Sequence, residues 1–365
     1  MTFITALFAC QDFTTAEEAC PTEVPGESLD NVPEEAAKVF REMSCHRGVA
    51  GISSARFDRK VQGATVAHVD YIEKNALAPL QVLDLHERQD SPGFTGVTVL
   101  DRSEAAKYDF DPDGYGLWEA VWIDTFADGV DRFNYWFQDP SMREVYLASD
   151  WLDGGYAEGQ LTTGEHFAYL NMWYARPRGE SADRPIVYPA DGQEDVPTSA
   201  SEPSDPCNLE DVGIPISVIV GEDPGTGNVE PGSNPFGIEV VAASLRTEKD
   251  DYVQLRNKVP GDGTSGLTYS AVFVPRFPLE PKTTYLFEAV LEWNDESHEV
   301  SSSFTTGTGE AVRIDEFTPE LCALLGGALG AGTLTVPDTT TGTTGGTTET
   351  PTTGSSSYRV VRPGR

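Results

Sequence analysis

Asp109-Phe110-Asp111-Pro112-Asp113-Gly114 is the sharpest local pattern in the chain. Carboxylates at alternate positions, Asp109, Asp111 and Asp113, converge on one cation when the backbone turns, and a Gly in sixth place permits that turn. An EF-hand-like calcium loop opens this way. Its twelfth position, normally a bidentate Glu, is Ala120 here, with Glu119 one place early. Calcium is the cofactor this half-pattern implies, against a solvated Asp/Pro/Gly turn stiffened by Pro112. Gly261-Asp262-Gly263-Thr264-Ser265-Gly266 fits GxGxxG, but it lies between predicted strands with no helix after it. A phosphate cradle needs that helix, so the segment reads as a hairpin loop. No GxSxG, HExxH or Walker A loop occurs, which leaves serine-hydrolase, zincin and P-loop chemistry without local support.

The histidines and aromatics are less specific. His68, between Ala67 and Val69 on an apolar helix face, reads as a structural residue, and His46, His166 and His298 read as surface or rim residues. Trp118, Trp122, Tyr135, Trp136, Trp151 and Trp173 concentrate aromatic surface in the first half of the chain. Trp118 and Trp122, four apart, would share a helix face. Such rings stack on sugars or apolar ligands in a cleft, although core packing is their commoner role.

The chain of 365 residues carries 59 acidic and 25 basic side chains, a formal net charge of -34. No basic surplus exists to neutralise phosphates, so nucleic-acid binding is excluded as a reading, and anionic membranes are disfavoured for the same reason. No apolar run reaches the ~20 residues that span a bilayer, so no transmembrane helix is expected. The opening residues MTFITALFACQ end an apolar run in Leu7-Phe8-Ala9-Cys10, which resembles the tail of a lipoprotein signal with Cys10 as the lipidated residue, although the positive n-region is missing. Four cysteines then remain, Cys20, Cys45, Cys207 and Cys322, which allow three pairings. We favour Cys20–Cys45 with Cys207–Cys322, the second closing a long loop around the C-terminal strands.

The elements that must position these groups divide near residue 178. Residues 33–47 and 60–75 have helical composition and periodicity, and 102–108 and 128–137 are further helix candidates. Residues 117–124 are helical or extended. Residues 151–158 and 166–175 read as aromatic strands. After a Pro/Ser/acidic stretch, 185–188, 214–220, 236–243, 251–256, 267–274, 284–293 and 298–305 are short β-branched and aromatic runs separated by turn residues, the pattern of an Ig-like sandwich. Residues 337–357, mostly Thr, Gly, Ser and Pro, predict a flexible tail.

Residues 33–178 resemble the CAP superfamily of cysteine-rich secretory, antigen 5 and pathogenesis-related proteins, especially its bacterial SCP-like members. The stretches that carry the resemblance are Ala67 to Asn75 (AHVDYIEKN), His86-Glu87 with Ser91 to Gly96 (SPGFTG), Asp101-Arg102, Trp118-Glu119-Ala120, and Trp136 to Arg143 (WFQDPSMR). Tyr188 to Pro197, Gly213 to Val218, Pro278 to Tyr285 and Phe304 to Gly307 resemble an Ig-like module joined to such a domain. The resemblance implies an α-β-α sandwich with a cleft, lined in many members by two His and two acids, some of which bind a divalent metal. His86 matches the first cleft His and Glu119 a cleft Glu, flanked here by Trp118 and Ala120. The second His position is Met142, and Asp139 is the match for the second acid. One His with one or two carboxylates is a poor zinc site. His86 with Glu119 is still the pair suited to general base work.

The sequence therefore predicts an α+β protein. A signal remnant and acidic spacer (1–31) lead to a CAP-type α-β-α domain (32–178), then a linker and antiparallel Ig-like sandwich (179–308), then a disordered tail (309–365). It is expected to be extracytoplasmic, secreted or lipid-anchored at a bacterial surface. It would bind an extracellular lipid, glycan or protein in a cleft formed by His68, Asp139, Met142, Trp118 and Trp136, with little or no catalysis. The alternatives are a hydrolase using His86 and Glu119, and a purely structural envelope protein.

Overall fold

A computed structural model describes residues 20, 26–30, 32–54, 56–82, 85–109, 116–147, 151–174, 185–201, 211–220, 234, 236–261, 267, 269–309 and 358–361. Helices begin where the sequence supplies caps. Helix α1 (Glu34–Val49) follows Pro33, carries Glu34 and Glu35 in its first turn and His46 and Arg47 in its last, and buries Ala36, Val39, Phe40 and Met43. After a short strand β1 (Arg56–Phe57), Asp58 caps α2 (Arg59–Lys74) by accepting from the amides of Lys60 and Val61. A single turn α3 (Pro79–Val82) precedes α4 (Val99–Ala105), which starts in a full capping box between Thr98 and Asp101. Strand β2 (Gly116–Asp124) leads to α5 (Gly129–Phe137), capped by Asp128, and α6 (Pro140–Tyr146), capped by Asp139. The hairpin β3 (Trp151–Gln160) and β4 (His166–Tyr174) completes the first domain.

These strands form one sheet in the order β1-β3-β4-β2, and strand β16 (Tyr358–Val361) pairs antiparallel with the free edge of β2. Alternation along β2 and β4 separates two cores. Ala120, Trp122, Ala168, Leu170 and Met172 pack with α1, α5 and α6. Val121, Ile123, Phe167 and Tyr169 pack with Val69, Tyr71 and Ile72 of α2. The domain is thus three layers, helices on both faces of a sheet. Helix α2 lies unusually close to β3. A Cβ on Gly155 would sit 2.5 Å from the Gln62 amide nitrogen, and the Gln62 side chain bonds both the carbonyl and the amide of Tyr156, at 2.7 and 2.8 Å.

The second domain contains β5 (Ile186–Tyr188), β6 (Gln193–Val196), β7 (Ala200–Ser201), β8 (Asp211–Val212), β9 (Ile216–Ile219), β10 (Glu239–Thr247), β11 (Tyr252–Val253), β12 (Leu255–Lys258), β13 (Ser270–Pro275), β14 (Thr284–Trp293) and β15 (Glu296–Thr306). Sheets β11-β10-β14-β15-β6 and β12-β13-β9-β5 face each other across Ile216, Val218, Leu245, Phe273, Phe287, Leu291 and Phe304, with β7–β8 a separate pair. Two positive-φ residues, Asn294 and Asp295, make the two-residue turn that fixes the β14–β15 register.

Several expectations change. The sandwich is not wholly antiparallel, because β6 joins β15 in parallel. The undecided run 117–124 is a strand, so Trp118 and Trp122 share no helix face. Helix α6 and strand β6 were not expected. Among the described residues no helix is long and apolar enough to cross a membrane. Cys20 is disulfide-bonded to Cys45 of α1. Cys10, Cys207 and Cys322 lie outside the described residues, as does most of the predicted flexible tail.

Candidate functional site

The polar groups most able to do chemistry meet between α2, α4 and the sheet. Helix α2 brings His68 against Tyr169 of β4, edge to face at a centroid distance of 4.7 Å. The Nδ1 of His68 lies 2.9 Å from Glu87 Oε1. Glu87 sits on the connection that runs from α3 to α4. The far side of that connection folds back over its carboxylate, donating the Thr95 amide at 2.6 Å, the Gly96 amide at 3.3 Å and the Thr95 hydroxyl. Gly96 is obligatory there, because a Cβ would meet the Arg102 amide nitrogen at 2.6 Å. From the first turns of α4, Arg102 Nη2 donates to both oxygens of Glu119 on β2, at 2.6 and 2.8 Å, while its Nη1 donates to the Leu85 carbonyl. His68, Glu87, Arg102 and Glu119 are each 2% exposed or less.

Burial and the nearby Arg102 charge push the His68 imidazole below its ordinary range, outweighing its bond to Glu87. Burial alone would raise the Glu87 carboxyl. The hydrogen bonds from His68 and the Thr95 amide, with the Arg102 charge, outweigh it and hold Glu87 below the usual carboxylate range. The result is a neutral His68 whose Nδ1–H donates to an ionised Glu87.

Of the expected pair His86 and Glu119, Glu119 is engaged by Arg102. Both Glu119 oxygens accept from Arg102, and His68 is bonded to Glu87, the residue next to His86. His86 is half-buried. The expected cleft is also divided. His68 belongs to the α2 face of the sheet, whereas Trp136 and Met142 are buried in the core on the opposite face. Asp139 caps α6, accepting from the Ser141 amide and hydroxyl at 2.8 and 2.7 Å, and burial raises its carboxyl. The side chain of Trp118 is outside the described residues. Of the expected calcium ligands, Asp109 is exposed and Asp111 and Asp113 lie outside the described residues. Among the described residues no three His, Cys, Asp or Glu groups come together to hold a metal ion.

Two further polar clusters were not foreseen. On the opposite face of the sheet, Arg132 of α5 donates from Nε to both oxygens of Asp124, at 3.1 and 3.0 Å, and from its other nitrogens to Tyr156, Glu158 and the Phe126 carbonyl. At the domain junction, Arg143 Nη1 donates to the Pro215 carbonyl at 2.6 Å and to Ser217 Oγ at 3.1 Å, and its guanidinium lies 4.8 Å from the Tyr188 ring centroid. His46, expected at a rim, stacks on Phe137 at 4.1 Å and bonds Tyr188 Oη and Asn134. His298 stacks on Trp293 at 3.4 Å. One signal could have flagged Arg132: it falls on the apolar face of GVDRFNYWF, where a charge needs a buried partner.

No family model matches the chain, and no curated protein does. Among solved structures, an outer surface protein from Borrelia burgdorferi is similar with 13% sequence identity and a TM-score of 0.30, over 40% of this chain and 96% of that one.

Proposed function

We propose that this chain is an exported surface protein in which a CAP/SCP-like domain and an Ig-like module present a binding surface, and that it acts by recognition rather than catalysis. One observation carries the reading. Three groups of the seam that could serve as base or acid, His68, Glu87 and Glu119, are buried and paired with each other and with Arg102. A general base must reach its substrate directly or through one water, and burial keeps these groups away from a substrate in solution. The Cys20–Cys45 disulfide supports an oxidising, extracytoplasmic compartment. The net charge of -34 fits a soluble surface and a ligand that is not polyanionic. The ligand is an extracellular lipid, glycan or protein segment.

The test is turnover by the full chain of peptide and ester substrates, with and without zinc, beside Glu119→Gln. Both proteins should give only background hydrolysis. Turnover present in the unmodified chain and lost in Glu119→Gln would restore the hydrolase reading.

A further inference from the structure

We propose that the seam between α2, α4 and the sheet binds a small neutral hydroxylic ligand, water in the native protein, held by His68, Arg102 and Asn171. This does not depend on what the protein recognises at its surface.

Among the described residues, five side-chain atoms in this layer are buried without a hydrogen-bond partner: His68 Nε2, Arg102 Nε, Ser103 Oγ, and both amide atoms of Asn171. The four residues are 2% exposed or less. Their placement is common to one seam. Asn171 stands directly across from Glu119 on β2 and from Gly155 on β3, so its side chain leaves the sheet on the face that carries Glu119. Gly155 contributes no side chain, and the α2 backbone lies over it. Arg102 clamps Glu119 from α4, and Ser103 is its neighbour. His68 enters from α2, two turns beyond Val61.

Donor and acceptor roles decide the chemical class. His68 gives its Nδ1–H to Glu87, which leaves Nε2 as an acceptor. Arg102 Nε offers only a proton, and the Asn171 amide offers both roles. A metal cation cannot accept the Arg102 or Asn171 protons. An anion without an O–H cannot donate to Nε2, and any anion would join two carboxylates, Glu87 and Glu119, balanced by a single Arg102. Only a neutral group that donates and accepts completes the set. The Arg102 Nε to Glu87 Oε1 separation, 4.0 Å, is too long for a direct bond and of the order a bridging molecule spans. Buried polar groups in folded proteins are almost always satisfied, and buried water is the usual partner where side chains supply none.

Asn171→Leu in the full chain gives the sign. A leucine of similar size removes two orphaned atoms from a dry seam and should raise Tm. In a hydrated seam it strands His68 Nε2 and Arg102 Nε, and Tm should fall by roughly 2–6 °C. Should the variant fail to fold, magnetisation transfer from long-lived bound water to the Asn171 side-chain protons of the unmodified chain decides alone. A fall in Tm, or that transfer, supports the site. A rise or no change in Tm, or absence of the transfer, overturns it.

Discussion

Two carboxylates and one guanidinium lie within the same buried seam, and the neutral His68 holds the second carboxylate without adding charge. Such an arrangement is acid-sensitive in a defined way. The His68 imidazole is depressed below its ordinary 6.5 and Glu87 below its ordinary 4.5. For a depressed group the unfolded chain binds more protons than the folded one as pH falls, so the associated stability is complete above the unfolded pKa and is lost on acidification. His68 faces Glu87, Arg102, Glu119 and the rings of Tyr71 and Tyr169. Its share of the loss begins near pH 6.5, before that of Glu87. Asp124 and Asp139, raised by burial, have the opposite sign. The comparison that isolates His68 is therefore with His68→Gln, which keeps a donor for Glu87 and does not titrate. Between about pH 8 and about pH 5 the Tm of the unmodified chain should fall more steeply than that of His68→Gln. Parallel Tm–pH curves would remove His68 from the titration.

Each helix that carries a site residue is started by a local side-chain device, and Arg102 depends on the one at Thr98. The Thr98 hydroxyl bonds the Asp101 amide at 3.2 Å, and the Asp101 carboxylate returns to the Thr98 amide at 2.8 Å. Thr98→Ala should lower Tm by about 2–4 °C, the effect of losing about 1 kcal/mol of capping, and Thr98→Ser should recover it. An unchanged Tm in Thr98→Ala would mean that packing alone fixes α4. Caps of this kind at α2 and α5, and Pro33 with two acidic residues in the first turn of α1, are why these helices were legible in the sequence to within a few residues. Strand β2 was not, for a physical reason. Ala120 and Trp122 enter one core while Val121 and Ile123 enter the other, so the run has no polar face and no period of two. Helix α6 hid similarly, since its seven residues are all buried. The site was legible in residue type but not in pairing. His68 and Glu87 are 19 residues apart, Arg102 and Glu119 are 17 apart, and neither spacing is a local one, so only the packing of α2 and α4 on the sheet joins them. The partition of His68 from Trp136 and Met142 likewise needed the sheet to be seen between them.

The two domains are not beads on a string. Arg143 and Glu144, consecutive on α6, both reach into the sandwich and both are 2% exposed or less. Arg143 donates to the Pro215 carbonyl and Ser217, and Glu144 accepts from the Tyr269 amide at 3.0 Å and the Ser270 hydroxyl at 2.6 Å. Tyr188, Ile186 and Ile219 of the sandwich belong to the same apolar cluster as Phe40, Trp122 and Phe137 of the first domain. Burial pulls the Arg143 guanidinium down to about 10, still protonated at neutral pH, so its charge is held chiefly by carbonyl dipoles and aromatic faces. Removing it leaves those carbonyls buried without a donor, a loss on the order of 1–3 kcal/mol for each group stranded. An interface with these buried polar contacts couples the domains, where a linker-joined pair would unfold in separate steps. Calorimetry of the unmodified full chain should therefore show one transition with equal calorimetric and van't Hoff enthalpies. Arg143→Ala should split it in two, with the sandwich and the three-layer domain melting apart. Two transitions in the unmodified chain would show that the junction does not couple them. A single, merely lowered transition in Arg143→Ala would place the coupling in the shared apolar cluster instead. If the single transition holds, the surface proposed for recognition belongs to one cooperative unit, in which residues of both domains stand at fixed separation.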